Sequence, residues 1–364
     1  MRANRKINIL SIYRGILNDN RGTPIRVKSL SLEFSKSSEI NYTMCAWDNE
    51  SSIELQNYMR LSNKHFDDIK KIYNFVKKNN VDVIIGHTMA TYYYLFPLRF
   101  LTKAKIALEM HGYVEEEAKM YGNINWLMYS WSKFIFGVFY RLCHIIFAPS
   151  ETSREILSKY NKNTVSIVGG VDLNIFNPNV ARGSVIRRKS DEIIIGYAGN
   201  TRIWQGLPFL LDSFIAINKI SPEFKLALLC SEEVKNKVSN VLYFNKVEHS
   251  KIPDFFIDCD ILVIPRMHNE VNRISIPSKL FEYMAMGKPV VASNTSDVHR
   301  IIRDKIDGLI FNAGDKEEFK KAILSLRDRN YRDELGNNAF NRAKKDFVWN
   351  QLSSKIIEGV TSIL

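Results

Sequence analysis

The chain has 364 residues, 45% apolar and 25% charged, a balance that excludes general disorder and suits two domains of roughly 150–200 residues. Lys plus Arg outnumber Asp plus Glu 51 to 39, a net charge of +12, which favours phosphate-bearing substrates, an anionic membrane surface or nucleic acid. Cys45, Cys143, Cys230 and Cys259 form no C-x-x-C pair, which argues against a disulfide framework or thiolate zinc site and makes a reducing cytosol the default.

The basic N-terminus leads into Ile7–Tyr13, which is short, holds Asn8 and Ser11, and runs into Arg14. That pattern predicts a first β-strand, not a signal peptide. Further strands are expected over Ile40–Ala46, Val81–Ile85, Lys105–Met110, His144–Pro149 and Thr164–Val168, with a helix over Asn63–Lys78. The second half offers strands at Glu192–Tyr197, Leu226–Leu229, Asn240–Phe244, Ile261–Ile264, Pro289–Ala292 and Leu309–Phe311. Helical patterns fall at Leu207–Ile217 and Glu317–Arg327. Runs such as VDVII, EIIIGY, DILVIP and PVVA are nearly continuous and β-branched, as parallel strands buried on both faces require. Alternating β and α predicts parallel sheets covered by helices.

Residues 179–190 are polar, rich in arginine and without periodicity, and are read as a linker between an N-terminal domain (1–178) and a C-terminal one (191–345). Two such domains would leave a cleft at the carboxyl ends of their strands. The apolar stretch Phe134–Tyr140 is bracketed by Lys133, Arg141 and His144, well short of the roughly 20 residues a spanning helix needs. The expectation is a soluble protein, or one resting on a membrane.

The most informative segment is IPRMHNEVNRISIPSKLFEYMAMGKPVVAS, Ile264 to Ser293. A buried strand ends near Pro265, and a polar loop follows with Arg266, His268, Glu270 and Arg273. Pro277 suits the first position of a helix and Gly287 its C-terminal cap. A helix beginning there would aim its free N–H groups at an anion. Lys279 in its first turn is disfavoured by the macrodipole by only about 0.3–1 kcal/mol, so two readings stand side by side: a phosphate ligand or a solvated surface lysine. Glu282, three residues on, is either a carboxylate for two sugar hydroxyls or a partner for Lys279.

A second segment, GYAGNTRIWQGLPFLLDSF, places Gly196 and Gly199 at a strand end and Gly206 with Pro208 at a helix start. Glycines permit close backbone approach to a phosphate, and Arg202 offers a guanidinium to two of its oxygens. Neither the ATP loop G-x-x-x-x-G-K-[ST] nor a clean G-x-G-x-x-G is present. In the first half, Gly22 and Pro24 precede a helix after the first strand, while ALEMHGYVEEE ends a buried strand with Glu109, His111 and Gly112. A lone histidine is more often structural than catalytic, but one at a parallel strand tip followed by glycine is better placed. His87 in IIGHT is similarly placed without a glycine.

These segments, in this order, resemble the retaining nucleotide-sugar glycosyltransferases of family 4, which have the GT-B fold of two Rossmann-like parallel-sheet domains facing a central cleft. VSIVGGVDLNIFNP is similar to the family's linker entry, GYAGNTRIWQG to its phosphate loop, and IPSKLFEYMAMGKPVVAS to its most specific signature. LGNNAFNRAKKDFVWNQ resembles the final helices, which implies that 346–364 cross back to the N-terminal domain. The resemblance implies that Glu282 binds the ribose of the donor, with Ser278, Lys279 and Leu280 near its diphosphate. Arg202 and Gly199 from the phosphate loop, Gly22 from the first domain and Arg273 complete the donor set. It also implies that His111 contacts the transferred sugar. His111, Arg202 and Lys279 are thus the catalytic candidates.

Two departures stand out. Ile274 occupies the position of the first Glu in the family's E-x7-E pattern, with Glu270 a candidate substitute, and Gln205 and Asn200 occupy positions usually held by Lys and Arg. Arg202, Arg273 and Lys279 would then carry more of the leaving-group charge.

The implied reaction moves a sugar from a nucleoside diphosphate to a saccharide or polyprenyl-linked saccharide. It fits synthesis of a bacterial surface polysaccharide, such as capsule, O-antigen (lipopolysaccharide) or exopolysaccharide, at the cytoplasmic side of the cell membrane. Fixed positive groups would stabilise the departing phosphate, and domain closure would exclude water. With no His/Cys cluster in the sequence, no metal and no cofactor besides the donor is expected. The aromatic-rich Asn123–Phe147 reads either as an amphipathic helix on a membrane or, in its second half, as a core helix. The alternatives in function are a noncatalytic nucleotide- or partner-binding relative and an epimerase or phosphorylase of the same fold. Nucleic-acid binding rests on charge alone and is not expected.

Overall fold

The computed structural model describes residues 5–19, 22–48, 55–62, 64–183, 185–230, 232–234 and 237–364. In chain order the first elements are β1 (Ile7–Tyr13), α1 (Gly22–Lys36), β2 (Ile40–Ala46), β3 (Tyr58–Arg60), α2 (His65–Lys78), β4 (Val83–His87) and α3 (Tyr92–Leu101). Next come β5 (Lys105–Glu109), α4 (Val114–Met120), α5 (Trp126–Leu142), β6 (Ile145–Ala148), α6 (Glu151–Ser158) and β7 (Thr164–Ser166). The series resumes with β8 (Ile193–Gly199), α7 (Leu207–Ile220), β9 (Phe224–Cys230), β10 (Val241–Asn245), α8 (Ile252–Asp258), β11 (Ile261–Ile264), α9 (Glu270–Ile274) and α10 (Lys279–Ala285). It ends with β12 (Val290–Ser293), α11 (Val298–Ile301), β13 (Leu309–Phe311), α12 (Lys316–Ser325), α13 (Arg329–Asp346) and α14 (Trp349–Thr361). Each strand expected from sequence overlaps an observed one. The short strand β3 has too few residues to carry a pattern. Asn63, the expected first residue of α2, lies outside the described residues.

Two compact units result: Met1–Val168 with Trp349–Leu364, and Gly169–Val348. The first holds a seven-stranded parallel sheet in the order β3-β2-β1-β4-β5-β6-β7, the second a six-stranded one in the order β10-β9-β8-β11-β12-β13. The strand order reverses between β1 and β4 in the first sheet and between β8 and β11 in the second. Ligands of open α/β sheets bind beyond the carboxyl ends of the strands at that reversal.

In the first unit, Ile9, Val83, Ile85 and Ala107 from the sheet pack with Val27, Leu30 and Phe34 of α1. Trp349, Leu352, Ile356 and Val360 of α14 close the same core, so the C-terminal helix is an integral part of this unit. In the second, Ile193, Ile195 and Tyr197 of β8 join Leu210, Phe214 and Ile217 of α7 and Phe319 and Ile323 of α12. All four cysteines are free and buried.

The segment read from sequence as a linker is built into the second unit, whose boundary falls after Val168 rather than at 178. Arg182 N donates to Asp254 Oδ1 at 2.8 Å, and Val185 N and Ile186 N donate to Asp258 Oδ2 at 2.6 and 2.8 Å. Arg188 pairs with Asp260. Ser184, within this segment, lies outside the described residues. The segment is held by carboxylates around the end of α8, about 70 residues away in sequence, and no local periodicity records such bonds.

Candidate functional site

In the second unit the chemistry gathers at the strand-order reversal. β8 ends in Gly199, and a short 3₁₀ turn (Ile203–Gln205) leads to Gly206, whose φ of +75° caps the start of α7. A Cβ on Gly206 would stand 1.7 Å from the carbonyl oxygen of Pro265. Only glycine permits this approach, which locks the loop after β8 to the loop after β11.

Lys279 opens α10 and points back across that junction. Its Nζ donates to Gln205 Oε1 at 3.2 Å and stands 4.3 Å from the centre of the Tyr197 ring. A Cβ on Gly199 would lie 2.5 Å from this nitrogen, so the glycine leaves room for the ammonium. Burial, and next the positive charge of Arg266, bring the Lys279 pKa down to about 7 from its ordinary 10.5, with Glu282 opposing. The surface-lysine reading therefore fails: Lys279 is half-buried and its ammonium is held by Gln205 and the Tyr197 ring.

Arg266, the second residue after β11, is buried and donates from Nη1 to Ser275 O at 3.2 Å. Two cations thus face the carboxyl ends of β8 and β11, the arrangement a multiply charged anion would relieve. Sequence reasoning named Arg266 in the polar loop but gave it no role, although its place at the tip of the buried strand ILVI was the available signal. Arg202 lies on the loop between Gly199 and the 3₁₀ turn, with its guanidinium carbon 5.1 Å from the centre of the Trp204 ring and its amide donating to Asn200 Oδ1 at 3.2 Å.

Helix α10 is shorter than expected, beginning at Lys279 rather than Pro277 with Ser278 as the residue before it, and ending at Ala285. Leu280 N and Phe281 N donate to Pro277 O and Ser278 O at 3.0 and 3.1 Å, which removes two of the amides foreseen for an anion. Ser278 is exposed at the helix start. Glu282 Oε1 accepts from His249 Nε2 at 3.0 Å, and the imidazole packs edge-on to Phe176 with ring centres 5.0 Å apart. His249 lies on the connection after β10, a link that nothing local in the sequence reveals.

Arg273 does not join the cation group. Its guanidinium forks onto Glu270 Oε2 at 2.9 and 2.8 Å in an exposed i,i+3 pair. The same pair turns Glu270 away from the role of substitute carboxylate. Ile274 is 3% exposed, an apolar plug where the family pattern has a glutamate.

The first unit carries a second constellation at its own reversal. Glu109 ends β5 and is fully buried. Its Oε1 accepts from Arg26 Nε at 2.6 Å, and its Oε2 from His87 Nδ1 at 2.6 Å and His111 Nε2 at 2.7 Å. His87 Nε2 is in turn 3.1 Å from Ser11 Oγ on β1. Arg26 comes from α1, four residues after Gly22, the exposed first residue of that helix. It also donates to Ile167 O at 3.1 Å.

Burial alone would raise the Glu109 pKa, but His111 and Arg26 outweigh it and hold the carboxylate well below its ordinary range. Burial likewise lowers the pKa of His111, more than Glu109 raises it. Nε2 of His111 is committed to Glu109 Oε2, which leaves Nδ1 for another partner. The histidine singled out by sequence is thus one arm of a network in which His87 and Arg26 are equal members. His87, Glu109 and His111 bring one ligand atom each within 4.8 Å of one another, a grouping that the sequence alone did not display. Arg26 on the same carboxylate makes this a poor cation site, because a metal would meet a fixed guanidinium.

Two parallel-sheet units, each with polar and charged groups at its strand-order reversal, define the GT-B class of α/β protein. The description "Glycosyltransferase Family 4" matches residues 48–175, and "Glycosyl transferases group 1" matches residues 192–329. The chain belongs to the family 4-like glycosyltransferases.

Among curated relatives, a glycosyltransferase of Methanocaldococcus jannaschii whose activity is uncharacterised is 24% identical over 69% of this chain and 66% of its own length. A capsular polysaccharide biosynthesis glycosyltransferase of Staphylococcus aureus is 25% identical over 54% of this chain and 56% of its own. The aligned region thus spans less than two thirds of these relatives. Sucrose-phosphate synthase from Thermosynechococcus elongatus superposes with a TM-score of 0.76 at 16% identity, over 98% of this chain and 99% of that one. Anabaena HepE in complex with UDP gives 0.76 at 14%, over 98% and 100%. Both share the fold.

Proposed function

We propose that the protein transfers a glycosyl group, with retention of anomeric configuration, from a nucleoside-diphosphate sugar to a saccharide or polyprenyl-linked saccharide at the cytoplasmic face of a bacterial membrane. The observation that carries this reading is the convergence of Lys279 and Arg266 on the carboxyl ends of β8 and β11, beside Gly199. A diphosphate placed there would meet two positively charged side chains. That HepE is described in complex with UDP and a relative takes part in capsular polysaccharide biosynthesis supports the donor class and the pathway class.

In this reading Lys279, Arg266 and Arg202 stabilise charge as it develops on the departing phosphate, and no covalent nucleophile or metal ion is needed. Gln205 and Asn200 stand where relatives carry cations, and Lys279 fills the gap from α10 through its bond to Gln205. Glu282 takes the ribose hydroxyls with His249 behind it. His111, oriented by Glu109 through Nε2, offers Nδ1 to a hydroxyl of the sugar.

Thermal stabilisation by UDP, GDP, ADP and TDP tests the donor site. One diphosphate at about 100 times its dissociation constant should add roughly 2.7 kcal/mol; no response from any of them overturns the reading. The buried Ile274, which removes a carboxylate from the donor side, is the observation favouring a noncatalytic or epimerase relative. Product analysis separates these readings: donor consumed with a new glycosidic bond, donor epimerised, or donor bound and unchanged.

A further inference from the structure

Helix α5 carries its apolar residues on two opposite faces. At about 100° per residue, Tyr129, Lys133, Phe136, Gly137, Phe139 and Tyr140 share one broad side, and the contacts bear this out. Tyr129 Oη and Lys133 Nζ donate to Glu116 Oε1 of α4 at 2.6 and 3.0 Å, while Phe136 and Phe139 meet Tyr92 of α3 edge-on. Leu127, Trp131, Phe134 and Val138 fall within about 60° of arc on the other side. They are 68%, 65%, 63% and 39% exposed. Trp131 and Phe134 stack on each other, with ring centres 5.9 Å apart, and the flanking Trp126 and Met128 are also exposed. The end of α3 extends the patch: Arg99 Nε donates to Leu142 O at 3.1 Å, and Phe100 and Leu101 beside it are exposed.

Charge selects the occupant of this face. Helices α3 and α5 contain no Asp or Glu; Lys133 is spent on Glu116, which leaves Arg99 and Arg141 on these helices and the exposed Lys103 two residues after α3. The acidic run Glu115–Glu117 lies on α4, against the Tyr129–Lys133 side of α5 and away from the stripe. Glu116 is neutralised by Lys133, and burial raises the Glu115 pKa to about 7. No helix among the described residues is long and apolar enough to cross a membrane, so the stripe can enter a bilayer only from the side.

We infer that the Leu127–Trp131–Phe134–Val138 face of α5, with the end of α3, is the surface by which this protein docks onto an anionic phospholipid bilayer. It lies in the interface with its aromatic rings below the headgroups. The inference rests on the reading of a lipid-linked acceptor and names the surface that would bring the protein to it.

The test is co-sedimentation of the full chain with vesicles of phosphatidylglycerol mixed into phosphatidylcholine, against vesicles of phosphatidylcholine alone, without any nucleotide sugar. Quenching of tryptophan emission by brominated acyl chains reports depth. The expected result is binding to the anionic vesicles at least about tenfold tighter than to neutral ones, with quenching. The triple change Leu127→Ser, Trp131→Ser and Phe134→Ser should reduce this binding at least about tenfold. These side chains are exposed, so an unchanged melting temperature shows that the variant folds.

Equal binding by the triple variant, or no vesicle binding by the parent chain, overturns the inference. A dimer that the triple change dissolves, with no vesicle binding, assigns the face to a second copy and overturns it equally. Stabilisation by nucleoside diphosphates is measured without vesicles, so failure of the donor reading and failure of this one are seen separately.

Discussion

Lys279 Nζ donates a 3.2 Å hydrogen bond to Gln205 Oε1, across 74 residues of sequence. Gln205 brings no charge of its own to the loop after β8, and the cation held there is borrowed from α10. This places a lysine in a half-buried site beside Arg266, and the cost shows in its pKa of about 7.

That cost predicts a trade between stability and binding. Lys279→Met should stabilise the ligand-free protein by about 1–2 kcal/mol, allowing for solvent screening, while lowering diphosphate affinity by roughly 100-fold. The unfolded chain binds more protons at Lys279 between pH 7 and 10.5, so the parent gains stability from this group as pH rises through that window. The variant should lose that dependence. Denaturant titrations of both proteins across pH, with calorimetry for the ligand, read out each part.

Diphosphate binding should weaken as pH rises. The bound anion raises the Lys279 pKa above about 7, so binding takes up a proton above neutrality. Affinity should fall by up to about tenfold per pH unit until the bound-state pKa is passed. Calorimetry in buffers of different ionisation enthalpy between pH 7 and 9 checks this, and the dependence should vanish in Lys279→Met. A flat profile in the parent would show that Lys279 does not face the diphosphate.

The Glu109 network should behave as a single unit. Glu109→Ala leaves Arg26 and two histidines around an empty buried position and should cost about 3–5 kcal/mol. Glu109→Gln keeps the shape but not the charge and should cost less. Because His111, Arg26 and His87 together hold the Glu109 pKa down, their stabilisation is present above the ordinary carboxylate range and is lost as pH falls through and below it. Acid unfolding of Glu109→Gln should therefore be less steep than that of the parent. Donor-sugar turnover should fall further than stability does, since His111 loses its orienting partner; His111→Ala should itself cost about 100-fold in kcat.

Glu282 and His249 should show their roles through the ribose. Glu282→Ala should lower affinity for a ribonucleoside diphosphate by about 10–100-fold, and much less for the dideoxy analogue. His249→Ala should do so more weakly, with partial rescue by His249→Gln, since an amide can still donate to the Glu282 carboxylate. Loss of affinity for both ligands in equal measure would contradict the ribose assignment.

The sequence by itself determined the architecture. Buried parallel strands such as EIIIGY and DILVIP are apolar throughout because both faces are covered, and the helices between them follow local periodicity. Gly206 was legible from its place at a strand–helix junction, where its φ of +75° suits glycine, whereas its close approach to Pro265 was not. Lys279 and Glu282 could be named from their place at a helix start, and His111 from its place at a strand tip.

Only the tertiary structure decided which of these groups act together. Arg266 reaches Lys279's environment, His249 reaches Glu282, and Arg26 and His87 reach Glu109, each from a separate element, while Arg273 turns to Glu270 instead. The supposed linker at 179–190 was absorbed into the second unit in the same way, by carboxylates remote in sequence. Backbone preference and burial act within a few residues and leave a periodic trace. Ion pairs and hydrogen bonds between side chains depend on where the sheet brings distant segments, and that depends on the whole fold.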